Sequence, residues 1–191
     1  MYEGIDTIVL YEELAWEDLL PVAWVSVPGT PEPALLVHQA ERNLRLLQAA
    51  SALEEYGQHE KPDENAPYAA DIMRLDFKLN LLLDLVGQIL AANQPRPSPV
   101  PVRFNTKGAV WRAGSAGARP RAGEQGFVEI HLRDCLVQPL GLYGQVIDSG
   151  ADGRVKVRFA PLAETVSDLL EKLAFRRHRR QVADARNPRR S

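Results

Sequence analysis

Between residues 68 and 92 the apolar positions recur at intervals of four and three. Tyr68, Ile72, Leu75, Leu79, Leu82, Val86 and Ile89 form an unbroken a/d seam, which is the spacing of a heptad helix. Ile72, Leu79 and Val86 fall at a; Tyr68, Leu75, Leu82 and Ile89 fall at d. Further apolar residues lie off the seam: Leu83 and Leu90 at e, Leu85 at g, and Phe77 and Leu81 further round. A helix so apolar has to be buried on more than one side. It is either the core helix of one globular domain or a self-association helix. Its 25 residues are long for a core helix in a chain of this size, and any neighbour would have to cover Leu83, Leu85 and Leu90 as well as the seam. Self-association is therefore expected. In a parallel two-stranded coil Asp71 at g would face Asp76 at e of the partner, and like charges there repel. Three or four strands, or an antiparallel arrangement, fit the apolar e and g positions better than a parallel dimer.

The pattern divides the rest of the chain into a segment at 1–33, a helical part at 34–93, β structure at 94–160 and a C-terminal helix and tail at 161–191. In the first segment Ile8–Tyr11 and Ala23–Val27 are candidate short strands, interrupted by Pro21 and acidic residues. A helix is expected over 34–57, with Val37, Ala40, Leu44, Leu47 and Ala50 on one face. The polar stretch 58–67 links it to the heptad helix. Pro95, Pro97, Pro99 and Pro101 then end helical structure. Val128, Ile130 and Leu132 alternate with polar residues, as do Val155, Val157 and Phe159. This is the period of half-buried strands. Further strands are expected around Ala109–Arg112 and Gln145–Ile147, and Asp152-Gly153 reads as a hairpin turn. Short antiparallel strands of this kind suggest a small barrel. The last helix is expected from Pro161, with Leu162, Val166, Leu169 and Leu173 inward, ending at Arg176–Arg180.

Charge adds an asymmetry that the apolar pattern does not show. The chain of 191 residues has a net charge of −2. Residues 176–191 hold seven arginines against the single acid Asp184, a charge of +6, which leaves −8 on the rest. An anionic partner or a solvated end would both explain the basic tail. A nucleic-acid partner is not expected, given the acidic body. Cys135 is the only cysteine, so no intramolecular disulfide forms, as suits a reducing cytoplasm. The acidic N-terminus lacks the basic region of a signal peptide. The apolar stretch Leu79–Leu90 contains Asn80, Asp84 and Gln88 and is too short to span a bilayer. A soluble, cytoplasmic protein without membrane insertion is expected.

No catalytic constellation assembles from the sequence, and neither a metal nor a cofactor is expected. Asp148 to Gly153 resembles half a calcium loop, but Phe159 stands where the bidentate Glu belongs. The glycine-rich loop 114–126 has no Lys-Ser/Thr ending and is not a phosphate loop. His131 and Cys135 have no clustered partners and are read as ordinary structural residues.

Four stretches together carry a resemblance to a known family. They are Glu13-Leu14-Ala15-Trp16-Glu17 with Leu20-Pro21 and Trp24; Leu75 to Leu85; Pro101 to Trp111; and Phe175 to Arg180. On these the chain resembles the atypical, tetramer-forming PilZ domains of bacteria. The resemblance implies an α+β fold: a six-stranded antiparallel barrel with long added helices. It further implies a homotetramer joined through the heptad helix, and a role in cyclic di-GMP signalling. PilZ domains that bind this dinucleotide use Arg-x-x-x-Arg before the barrel and (Asp/Asn)-x-Ser-x-x-Gly on it. Here the second motif aligns with residues 103–108 and keeps only Gly108. Arg103 replaces an acceptor with a pure donor, and Asn105 replaces the hydroxyl; Lys107 completes the degenerate stretch. Upstream, between Met73 and Pro101, only Arg74 and Arg96 occur. The expected protein is thus a non-enzymatic oligomeric adaptor that has lost direct cyclic di-GMP binding and acts on another signalling protein. The alternative is a receptor with a relocated site that uses Arg176, Arg177, Arg179 and Arg180 together with Lys107, where Arg176-x-x-x-Arg180 has the motif's spacing.

Overall fold

The computed structural model describes residues 14–56, 68–93, 96–113 and 119–186. The expected strand Ile8–Tyr11, the 58–67 link, Pro95 and part of the 114–126 loop lie outside these residues. Six strands run in chain order as β1 (Trp16–Ser26), β2 (Pro99–Phe104), β3 (Gly108–Arg112), β4 (Gln125–Ile130), β5 (Leu140–Ser149) and β6 (Arg154–Phe159). They close into an antiparallel barrel in the order β1-β2-β3-β6-β5-β4. Three helices accompany it: α1 (Pro33–Tyr56), α2 (Ala69–Asn93) and α3 (Glu164–Arg186).

The alternation read in the sequence is the alternation of the barrel wall. Val128, Ile130, Val155, Val157 and Phe159 point inward and are buried, and their polar neighbours point out. Trp16, Phe104, Trp111, Leu140 and Leu142 fill the rest of the interior, as small barrels require. Gly153 turns β5 into β6 with φ of +85°, the left-handed conformation that glycine adopts without a Cβ penalty.

At the N-terminal segment the structure corrects the reading. One strand of 11 residues replaces the expected short pieces, and Pro21 sits inside it. The reason is a change of partner. Residues Trp16–Pro21 pair with β2, and Val22–Ser26 pair with β4. Pro21 stands at the switch, where its missing N–H costs no ladder bond. Its carbonyl accepts from the His131 N–H at 3.0 Å.

Helices α1 and α3 pack on each other, α1 against β5 and α3 against β1. The inward face of α1 differs from the apolar one expected. Val37 is exposed, whereas Asn43, Leu46, Leu47, Ala50 and Glu54 are buried. Helix α3 starts at Glu164 instead of Pro161 and continues past Arg180 to Arg186. Its buried residues are Val166, Leu170, Leu173 and Ala174, with Leu162 and Leu169 only partly covered. Helix α2 follows the expected bounds, but Tyr68 precedes it with a left-handed φ of 77°. Its carbonyl accepts from the Ile72 N–H at 2.9 Å. The helical seam therefore begins at Ile72.

Asn43 shows why a polar residue occupies the core face of α1. Strand β5 pairs with β6 only from Gly144 onward, so the start of β5 has one open edge. Asn43 covers that edge. Its Nδ2 donates to the Gly141 carbonyl at 2.7 Å, and its Oδ1 accepts from the Gly141 N–H at 3.1 Å. Asn43→Ala leaves both buried backbone groups unpaired, and each such group costs about 1–3 kcal/mol. The variant is expected to lose about 2–4 kcal/mol in urea unfolding; an unchanged midpoint would refute this role.

Candidate functional site

The β2–β3 turn holds the degenerate ligand motif. Asn105 is buried, and its Oδ1 accepts from the Lys107 N–H at 2.8 Å and the Gly108 N–H at 3.1 Å. Its own N–H donates to the Gly108 carbonyl at 3.0 Å. This is an Asx turn that reverses the chain. The Lys107 carbonyl accepts from the Phe159 N–H at 2.8 Å, tying the turn to the end of β6. Helix α3 covers the same turn, with the Thr106 hydroxyl 3.4 Å from Glu171 Oε1. Arg103 faces outward on β2 and pairs with Glu17, its cross-strand neighbour on β1.

The C-terminal arginines do not act as one patch. They lie within α3, well before its end, so the helix terminus does not account for them. Arg176 and Arg177 turn toward the body of the protein. Arg176 donates to the Ser51 hydroxyl of α1 at 2.9 Å. The Arg177 guanidinium lies 4.7 Å from the centre of the Trp16 ring, a cation–π distance. It also pairs with Asp18 of β1 and with Glu54 of α1, the latter at 3.4 Å. Arg179 stays on the surface over Phe175, 5.8 Å from its ring centre. Arg180 is half-buried.

Glu54 and Asp18 were not singled out by the sequence, yet they organise this region. Glu54 is the only buried carboxylate among the described residues, 2% exposed. Its Oε1 also meets Arg133 at 3.3 Å. Trp16, which Arg177 covers, stacks on Phe104 at 5.6 Å with the planes 19° apart. One cluster thus joins β1, β2, α1, α3 and the β4–β5 loop. The available signal was spacing: Glu54 continues the row Asn43, Leu47, Ala50 on one face of α1. A search restricted to apolar residues passes over it.

The heptad helix stands apart from this cluster. Ile72, Leu75, Leu79, Leu82, Val86 and Ile89 are all exposed, between 44% and 61%. Leu83, Leu85, Met73, Phe77 and Leu81 are exposed too, so the apolar surface runs round the helix. The side chain of Leu90 lies outside the described residues. Gly87 is buried and approaches Asp134 of the β4–β5 loop. Arg96, just beyond the helix, grips that loop: its Nη2 donates to the carbonyls of Asp134 at 3.1 Å and Leu136 at 3.0 Å. Half-buried His131 lies in the same region. Burial, and then the charge of Arg96, hold its imidazole below the ordinary 6.5, with Asp134 opposing. Cys135 is a free, half-buried thiol. Among the described residues no group of three His, Cys, Asp or Glu could hold a metal ion. No helix there is long and apolar enough to cross a membrane.

The closed six-stranded antiparallel barrel with three added helices is the architecture that the PilZ resemblance implies. The family model described as "Atypical PilZ domain, cyclic di-GMP receptor" matches residues 47–187, and the chain belongs to that family. A solved structure from Xanthomonas campestris is similar over nearly the whole length. It shares 26% identity at a TM-score of 0.66, covering 90% of this chain and 91% of that one. That pathogenic protein is described as a new tetrameric PilZ domain self-assembled via an unusual helical bundle. Among curated proteins none matches this chain.

The Arg177 cluster predicts a stability effect. Arg177→Met keeps the packing of the stem but strips a cation from Asp18 and buried Glu54. Leaving a buried charge alone costs about 3–5 kcal/mol; Glu54 keeps Arg133 and Asp18 is partly hydrated, so a loss of about 1–3 kcal/mol is expected in denaturant unfolding. Adding Glu54→Leu should recover part of the loss, because replacing both buried charges by apolar groups is far cheaper than removing one. A single variant as stable as the parent would refute the assignment.

Proposed function

We propose that this chain is a non-enzymatic regulatory adaptor of cyclic di-GMP signalling, working in the cytoplasm as a homotetramer joined through α2. The reading is carried by the exposure of α2. Its seam residues Ile72, Leu75, Leu79, Leu82, Val86 and Ile89, with Leu83 and Leu85 beside them, present apolar surface that the barrel does not cover. Soluble monomers rarely expose contiguous apolar patches beyond a few hundred Å², and fully burying one leucine is worth about 1.5–3 kcal/mol. A four-helix bundle covers the seam together with the e and g positions, which a two-stranded coil leaves wet. The helical-bundle tetramer described for the Xanthomonas protein supports the same stoichiometry.

In this reading the adaptor does not itself bind cyclic di-GMP with useful affinity, and no cofactor or metal takes part. The groups that would recognise the dinucleotide are engaged in the fold. Asn105 Oδ1 holds the β2–β3 turn, Arg103 pairs with Glu17, and Arg177 is held by Trp16, Asp18 and Glu54. Losing several charge-assisted bonds, at about 1.5–3 kcal/mol each, removes three or more orders of magnitude in affinity.

Light scattering after size exclusion is expected to give a mass near four chains of 21.3 kDa. Leu79→Asp with Leu82→Asp should dissociate the assembly, since each variant puts an unpaired charge in a dry seam. Barrel circular dichroism should remain. A monomeric parent protein at micromolar concentration would overturn the assembly.

Calorimetric titration with cyclic di-GMP at moderate salt is expected to show no dissociation constant tighter than about 100 μM. A value in the low micromolar range would refute this part. Loss of such binding in Arg176→Ala with Arg180→Ala would establish the alternative, a receptor with its site on α3.

A further inference from the structure

The outer face of the barrel over β2, β3 and β6 carries a charge arrangement that the fold does not need. Arg154, Lys156 and Arg158 alternate with buried Val155, Val157 and Phe159, so all three stand outward on β6. Arg112 and Val110 stand outward on β3, and Arg103 on β2. The register sets Arg112 directly opposite Arg154, and Val110 between Arg103 and Lys156. Arg158 completes the group opposite Gly108. Like charges directly opposed on antiparallel strands destabilise a sheet.

Acids border this face, and Lys156 and Arg158 have interaction partners. Glu17 pairs with Arg103. Asp148 is the register partner of Lys156. Asp152 Oδ1 accepts from the Arg154 backbone N–H at 3.1 Å. The side chains of Arg112 and Arg154 are exposed and make no ion pair among the described residues. This concentration of cations sits on a chain whose residues before the C-terminal tail sum to −8.

We infer that this face docks an acidic segment of a partner protein, with an apolar residue seated on Val110 and flanking carboxylates on Arg112 and Arg154. The inference deepens the adaptor reading by naming the chemistry of what is adapted. A patch three strands wide spans about 10 Å, the size of a short peptide segment. Carboxylates on such a segment relieve the Arg112–Arg154 repulsion and form bidentate pairs with guanidiniums. A long nucleic acid would extend past the patch onto the acidic remainder, which repels it.

The test uses the full-length protein and a fluorescent heptapeptide with one central leucine flanked by glutamates. Anisotropy at low salt should show saturable binding that weakens as salt rises. Arg112→Glu with Arg154→Glu should weaken it at least tenfold. Arg45→Glu with Lys172→Glu, the same charge change on exposed positions of α1 and α3, should change it less than twofold. Arg112→Glu alone places an opposite charge beside Arg154, so it should raise the melting temperature while weakening the peptide. No binding at millimolar peptide would overturn the proposal, as would equal losses in the two double variants. A lowered melting temperature in Arg112→Glu would overturn the repulsion argument. Tighter, Arg112-dependent binding of an oligothymidylate than of the peptide would assign the face to nucleic acid and overturn it likewise. Light scattering on the same samples reports the tetramer separately, so failure of the assembly and failure of this docking face are distinguishable.

Discussion

Arg177 is the constraint on which the architecture hangs. A barrel of six short strands has an open end, and the helices that cap it must be held at a fixed angle. Apolar packing of Leu47 and Ala50 on α1 with Leu170 and Leu173 on α3 supplies adhesion but little direction. The guanidinium supplies direction. It lies over Trp16 at the start of β1 and reaches Asp18 on the same strand and Glu54 on α1. A planar fork with several fixed donors can satisfy such partners only in a narrow range of helix positions. Glu54 Oε2, Trp16 Nε1 and Arg177 Nε are buried without a hydrogen-bond partner among the described residues. Burying charge this way is costly.

The same economy explains the β2–β3 turn. A side-chain carbonyl at Asn105 could read a guanine edge, but only if its lone pairs face solvent. Here they accept from two backbone N–H groups of the turn, and α3 lies over Thr106. A donor at Arg103 cannot replace an acceptor, and it pairs across the strand with Glu17. Residues in the position of a ligand motif thus hold contacts within the fold.

In the proposed assembly, association and scaffold are carried by different elements. A closed barrel pairs its own strand edges and offers none to a partner. Apolar surface for a partner has to come from an added element, and the proposed assembly assigns that part to α2. Arg96 and the close approach of Gly87 to Asp134 anchor it at its C-terminal end. Its described large apolar side chains are exposed.

Local pattern by itself determined the strand alternation in β4 and β6, the Asp152-Gly153 turn and the bounds of α2, because these follow from period and turn chemistry within a few residues. The family motifs were legible in the same way. Tertiary structure alone decided that β1 runs unbroken through Pro21, since a strand that changes partners there needs no N–H. It decided that Asn43 and Glu54 face the core, since a polar residue belongs there only when its partners, Gly141 and Arg177, arrive from 98 and 123 residues away. It also decided that Arg176 and Arg177 turn inward while Arg179 stays on the surface. A run of arginines reads as one basic patch in sequence, but the rotation of a helix about its axis sends neighbouring side chains to different surroundings.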